Sequence, residues 1–324
     1  MHNNDSFAFT SDSWTTSCNK TIHWCSLTVH LISSDFVLKR CLMDVMQLPY
    51  SSTNTAILEI WEDCFKKYNL KKANVAGIVL DGGGNFQLAG KRFAENTSGI
   101  VLWCACHRLN LVTKFLFKNG PDELKKLFTI ANKIVAKYNR SFQFSFTFKE
   151  QQILFGTKGT LILPIGTRWN SYFDMLRSLA SNQSAVEATL IAEGEEGLEL
   201  TSREWTIMSA VVTWSSCITK PLDFLQGDLD ITVDEVFVKL CILDFTAKEM
   251  INQNQFQGNE SLKGFGISLG NTLVKALEKY FPKNEKIDKQ SGVYSQKKYK
   301  FIVSVLIFQF GQALTTVCRF LHVG

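Results

Sequence analysis

No sign of charge dominates this chain, its cysteines form no paired motif, and its start is not a leader. Each absence removes a class of function. The 324 residues hold 35 Lys and Arg against 30 Asp and Glu, a net charge of +5, which permits contact with nucleic acid without demanding it. Nine cysteines (18, 25, 41, 64, 104, 106, 217, 241 and 318) fall mostly inside apolar runs and never as CxxC…CxxC. Reduced, largely buried thiols fit better than a disulfide framework or a four-cysteine zinc module. The opening MHNNDSFAFTSDSW has neither the basic start nor the continuous apolar core of a secretory signal, so an intracellular site of action is expected. The glycines at 82–84 are not a phosphate loop, because no Gly-Lys-Ser/Thr follows and the GxGxxG spacing fails. No internal repeat is evident.

What is present is enough chain for a full core and two structural units. Residues 6–120 alternate strand-like and helix-like patterns, the signature of an α/β fold. A meander is expected over Thr21 to Ile32 and Phe36 to Met46, a helix over Thr53 to Tyr68, a strand into Asp81, and a helix over Asn85 to Glu95. A short strand from Ile100 to Cys104 and a helix from His107 to Lys118 follow. Over 121–281 apolar residues recur at helical spacing, with helices expected over Asp122 to Tyr138, Tyr172 to Glu193, Ser202 to Leu225, Thr232 to Asn252 and Ser261 to Phe281. Residues 282–324 begin with a basic, polar run and change abruptly to the apolar FIVSVLIFQFGQALTTVCRFL, Phe301 to Leu321. That tail is close to the roughly 20 residues that cross a bilayer. Arg319 lies inside it and lysines flank only one side, so no membrane association is expected; a core element and a frame-shifted end remain open beside a span.

Two aspartates stand out. Asp12 in FAFTSDSWTT and Asp81 in VAGIVLDGGGN each close an apolar strand-like run and open onto a turn. If the two strands lie side by side, the carboxylates converge at one sheet edge. Hard cations such as Mg²⁺ take carboxylate oxygen, and paired ions about 3.5 to 4 Å apart clamp the attacking and leaving oxygens of phosphoryl transfer. Aspartate is equally a turn and N-cap residue. In WCACHRLNL, Cys104 and His107 form a CxxH, read either as half of a zinc site or as a buried cysteine beside a helix-start histidine. Arg168, Trp169 and Asn170 precede a helix in PIGTRWNSYFDML. Arginine grips phosphate bidentately and tryptophan stacks on an unpaired base, although a helix-start tryptophan also serves as core.

In order and spacing, SDSWTT, VLDGGGN, CACHRLNL and TRWNSYFDML resemble the catalytic-domain signature of hAT-family DNA transposases and the host proteins derived from them, over about residues 6–280. The resemblance implies an RNase H-like mixed sheet interrupted by an all-helical insertion domain. The RNase H-like N-terminal part then covers 1–120 and the insertion 121–281. It further implies catalytic and metal-binding roles for Asp12 on the first strand and Asp81 on the fourth, with Cys104 and His107 beside the centre. Trp169, with Arg168 and Asn170, belongs to a nucleic-acid-binding element in which the indole steadies a flipped base. Mg²⁺ or Mn²⁺ as cofactor, DNA as partner, homo-oligomers and a nuclear location follow from the same resemblance.

The sequence also departs from the family. Gly82 stands where the family has asparagine after the second aspartate, and three glycines favour a flexible turn. The family's third carboxylate, a glutamate in a C-terminal SER-FS-like motif, has no counterpart over 282–324; Glu235, Glu249 and Glu278 lie in helical patterns instead. A truncated RNase H-like core, no preceding BED-type zinc finger, a weak cation site and impaired cleavage are the resulting expectations.

Overall fold

The computed structural model describes residues 6–18, 20–33, 35, 37–48, 53–97, 99–165, 170–226, 235–253 and 256–282. The apolar tail and most of the basic run before it lie outside these residues. The described chain divides into two compact units, one built mainly from residues up to Arg108 and the other mainly from Leu109 to Gln226 and Val238 to Tyr280.

The first unit is a five-stranded sheet: β1 (Phe7–Cys18), β2 (Lys20–Ile32), β3 (Leu38–Gln47), β4 (Val75–Leu80) and β5 (Ile100–Trp103). Its spatial order is β3-β2-β1-β4-β5. The first three strands form an antiparallel meander, and β4 is parallel to both β1 and β5. This is the mixed RNase H-like sheet that the resemblance implies.

Alternation along the strands sets the core. Phe7, Phe9 and Ser11 of β1 and Cys25, Leu27 and Val29 of β2 are buried together, with α1 (Asn54–Lys67) and α2 (Gly84–Ala94) contributing to the same cluster. Thr53 caps α1 by accepting the Ala56 N–H at 3.3 Å. From there the helix brings Ile57, Trp61 and Phe65 inward, while α2 brings Phe86 and Phe93. The Phe9 ring meets those of Trp61, Phe65 and Phe93 edge-on, at centroid distances of 5.6, 5.6 and 5.4 Å. The one polar group this arrangement buries on β1 is satisfied: Trp61 Nε1 donates to Ser11 Oγ at 3.0 Å, and Ser11 Oγ donates to the Ser26 carbonyl at 2.6 Å. A Cβ on Gly90 would stand 2.3 Å from Leu80 Cδ1, so glycine there lets α2 lie directly on β4.

One expectation about β1 is overturned. The strand does not end at Asp12 but continues to Cys18, because the meander partner β2 pairs with it along its whole length. What stops near Asp12 is the pairing with β4, whose last register partner is Ser11 with Leu80.

The second unit is helical, entered through α3 (Ala105–Asn119) and α4 (Asp122–Arg140). An unanticipated helix follows, α5 (Phe142–Phe155), ended by Gly156 at a φ of 65°. Its apolar residues lie on opposite sides: Phe144 and Phe148 are buried while Phe142, Phe146 and Ile153 are exposed. No single-faced helical pattern can therefore be seen in the sequence. The helix expected over 172–193 is two, α6 (Ser171–Ala180) and α7 (Gln183–Ala192). Buried Asn182 breaks it, donating to the Ser178 carbonyl at 2.9 Å and accepting from Gln152 Nε2 at 2.7 Å. That over 202–225 is likewise α8 (Ser202–Trp214) and α9 (Ser216–Leu225), parted at buried Ser215. α10 (Glu235–Asn252) and α11 (Lys263–Tyr280) complete the described chain. Among the described residues no helix is long and apolar enough to cross a membrane.

Trp61→Ala removes the centre of the aromatic cluster and leaves Ser11 without its indole donor. The variant is expected to lose about 3 to 5 kcal/mol of stability, read from urea unfolding of the full chain; a loss below about 1 kcal/mol would contradict this account of the core.

Candidate functional site

Where β4 ends, the parallel ladder sets two carboxylates side by side. Ser11 is in register with Leu80, so Asp12 and Asp81 are the next residues on adjacent strands, which lie about 4.8 Å apart. The Asp81 N–H still reaches the Ser11 carbonyl at 3.4 Å. On the other flank, the Cys104 N–H donates to the Leu80 carbonyl at 2.8 Å, fixing the point where β5 gives way to α3. One turn into that helix, His107 Nδ1 stands 2.7 Å from Asp81 Oδ1, and the same oxygen accepts the Gly82 N–H at 2.5 Å. Asp12, Asp81, Cys104 and His107 thus gather at one end of the parallel strands.

Gly82 corrects the expectation of a flexible glycine turn. A Cβ at this position would lie 2.5 Å from His107 Cδ2 and 2.7 Å from its Nε2, so the imidazole occupies the space of the missing side chain. Gly83 and Gly84 meet no such neighbour; Gly83 is the N-cap position of α2 and Gly84 its first residue. None of the three has a positive φ. The run is therefore a packed entry to a helix, and its first glycine is required by close approach. No signal in the sequence distinguishes Gly82 from the other two.

The two carboxylates carry their charge differently. Around Asp12, whose surface is exposed, the protein atoms packed close to the carboxyl raise the pKa by partial desolvation, the Ser13 N–H at 2.8 Å works against that rise, and the neighbouring charge of Asp81 adds to it; the net shift is upward and is damped by solvent. At Asp81 burial again disfavours the charge, but the hydrogen bond and positive field of His107, with the Gly82 N–H, outweigh it and hold the carboxyl below its ordinary value. An aspartate at Nδ1 orients an imidazole.

Asp12 and Asp81 are hard oxygen donors of the kind Mg²⁺ takes. Among the described residues, however, no group of three or more His, Cys, Asp and Glu is placed to hold a metal ion, and Asp81 Oδ1 already has two partners. The donor set fits a divalent cation poorly. Glu235 and Glu249 lie on α10 and Glu278 on α11. Asn170 belongs to the second unit, immediately before α6, where its Nδ2 donates to Asp223 Oδ1 at 2.9 Å. Arg168 and Trp169 lie outside the described residues.

Because the fold holds the Asp12 proton more tightly than the unfolded chain does, stability falls as pH climbs from the ordinary carboxylate value to the raised folded one, and the penalty is complete above it. Since Asp12 is exposed to solvent, Asp12→Asn is expected to unfold at only a slightly higher urea concentration than the parent at pH 7, with the difference vanishing toward pH 4. An unchanged or lower midpoint at pH 7 would show that Asp12 is not strained by its surroundings.

Comparison with known families agrees with this geometry. Residues 10–92, which hold Asp12 and Asp81, match the ZBED1 RNase-like domain. Residues 102–214, which hold Cys104, His107 and positions 168–170, match the ZBED1 RNase-like helical domain. No curated protein matches the chain. With an RNase-like domain followed by its helical companion, the chain belongs to the ZBED group of transposase-derived proteins.

Proposed function

We propose that this is a transposase-derived protein of the hAT type that binds DNA in the nucleus without efficient metal-dependent strand cleavage. The observation that carries the reading is the state of the carboxylate pair: Asp12 and Asp81 adjoin on β1 and after β4, but Asp81 Oδ1 is committed to His107 and Gly82. Mg²⁺ or Mn²⁺ would rest on the two carboxylates mostly through water, too loosely to clamp a reacting phosphate. Binding itself needs no third carboxylate. Arg168 supplies a guanidinium for the phosphate backbone and Trp169 a face for an unstacked base, while Asn170, tied to Asp223, holds the start of α6.

The test is DNA binding by fluorescence anisotropy over a salt series, run beside a cleavage assay on hairpin-forming DNA with Mg²⁺ or Mn²⁺. Affinity is expected to fall with salt. Arg168→Ala should reduce the salt slope by about one, and Trp169→Ala should weaken binding to unpaired DNA by about 1 to 3 kcal/mol. Binding that ignores salt and both substitutions overturns the reading, as does cleavage that depends on Asp12 and Asp81.

A second reading, a protein-interaction scaffold that includes contact between copies of this chain, is favoured by α5. Phe142 is 83% exposed and Ile153 81%, and the Phe142 and Phe146 rings stack at 6.3 Å on the outer side of the helix. A surface of this kind commonly marks a protein contact. Partners retained by the full chain after nuclease treatment, and lost on Phe142→Glu with Phe146→Glu, are the expected result. Retention by the double variant removes α5 from the surface.

A further inference from the structure

The centre contains two thiols that DNA binding does not use. Cys104 sits between β5 and α3, and its carbonyl accepts the Arg108 N–H at 3.1 Å, so it occupies the N-cap position of the helix. Its Sγ accepts the backbone N–H groups of Cys106 and His107 together with the thiol proton of Cys106. Three donors converge on one sulfur at the positive end of a 15-residue helix. As residues, Cys104 is partly exposed and Cys106 is buried. This is a dithiol with built-in asymmetry: one sulfur is surrounded by donors, the other holds its proton.

We infer that Cys104 and Cys106 form a peroxide-responsive thiol pair, with Cys104 as the attacking sulfur and Cys106 as the resolving one. The Cys104 thiolate attacks one oxygen of hydrogen peroxide. An S–O bond forms, the O–O bond breaks, and the departing hydroxide takes a solvent proton to become water. Cys106 then attacks Cys104 Sγ. The S–S bond forms, the S–O bond breaks, and the hydroxyl leaves as water with the Cys106 proton. Two thiols lose two electrons and one peroxide becomes two waters.

The electrostatics agree with these roles. The Cys106 thiol first, against the opposing effect of burial, and then the two backbone N–H groups and His107 bring the Cys104 thiol down to about 7. Sharing its proton with Cys104, with burial second, pushes Cys106 well up. A bond between the two sulfurs draws Cys104 Sγ away from the N–H groups that cap α3, in the same turn that carries His107.

The experiment uses the full chain, alkylated with iodoacetamide and mapped by peptide mass spectrometry, with N-acetylcysteine as reference thiol. Between pH 7 and 8 the Cys104 rate is expected to rise about twofold, against roughly eightfold for the reference. Peroxide treatment of the unmodified chain should yield a Cys104–Cys106 disulfide reversible by dithiothreitol, and Cys106→Ser should instead leave a dimedone-reactive sulfenic acid on Cys104. A Cys104 rate that follows the reference, or peroxide treatment that leaves both thiols free, overturns the proposal. The wild-type measurements stand even where Cys106→Ser fails to fold.

Discussion

β4 is held in parallel register on both sides, and every feature of the centre hangs from that strand. Its pairing with β1 aligns Asp81 with Asp12; its pairing with β5 ends where Cys104 begins α3 and so determines where His107 stands. Leu80, the residue before Asp81, is packed under α2 at Gly90 and buried in the aromatic core. A slip of one residue along β4 would turn Leu80 out and Asp81 into that core, against Phe86 and Trp61, where a carboxylate has no partner. Hydrophobic packing on one side of the strand thus sets the chemistry at its end.

Two like charges on neighbouring strands, Asp12 within β1 and Asp81 just past β4, repel, and the chain relieves the repulsion in two ways. Asp81 gains a hydrogen-bond partner in His107, and Asp12 is biased toward keeping its proton. In a metal-dependent nuclease a cation does this work for both carboxylates. Here an imidazole does it for one, and the thiol pair lies in the same helical turn as that imidazole. The result is two hydrogen-bonded pairs, Asp81 with His107 and Cys104 with Cys106, gathered beside Asp12.

The alternating runs of the sheet and the capped helix at Thr53 could be read from the chain because each buries one face against one core. α5 could not, since Phe142, Phe144, Phe146 and Phe148 alternate as a strand would and are divided between a buried and an exposed side of a helix. The break at Asn182 was hidden for a different reason. Its cause is a hydrogen bond to Gln152, 30 residues away in sequence, which no local pattern records. At the centre, residue types and order pointed to Asp12, Asp81, Cys104 and His107. Proximity alone revealed the engagement of Asp81 by His107, the part played by Cys106 and the need for glycine at 82.

Gly82 has a consequence for how this sequence can change. The His107 ring fills the volume that any side chain at 82 would need, so a residue with a Cβ cannot enter there while His107 keeps its place. Substitution at either position alone leaves a clash or a void, and the two residues can be exchanged only as a pair.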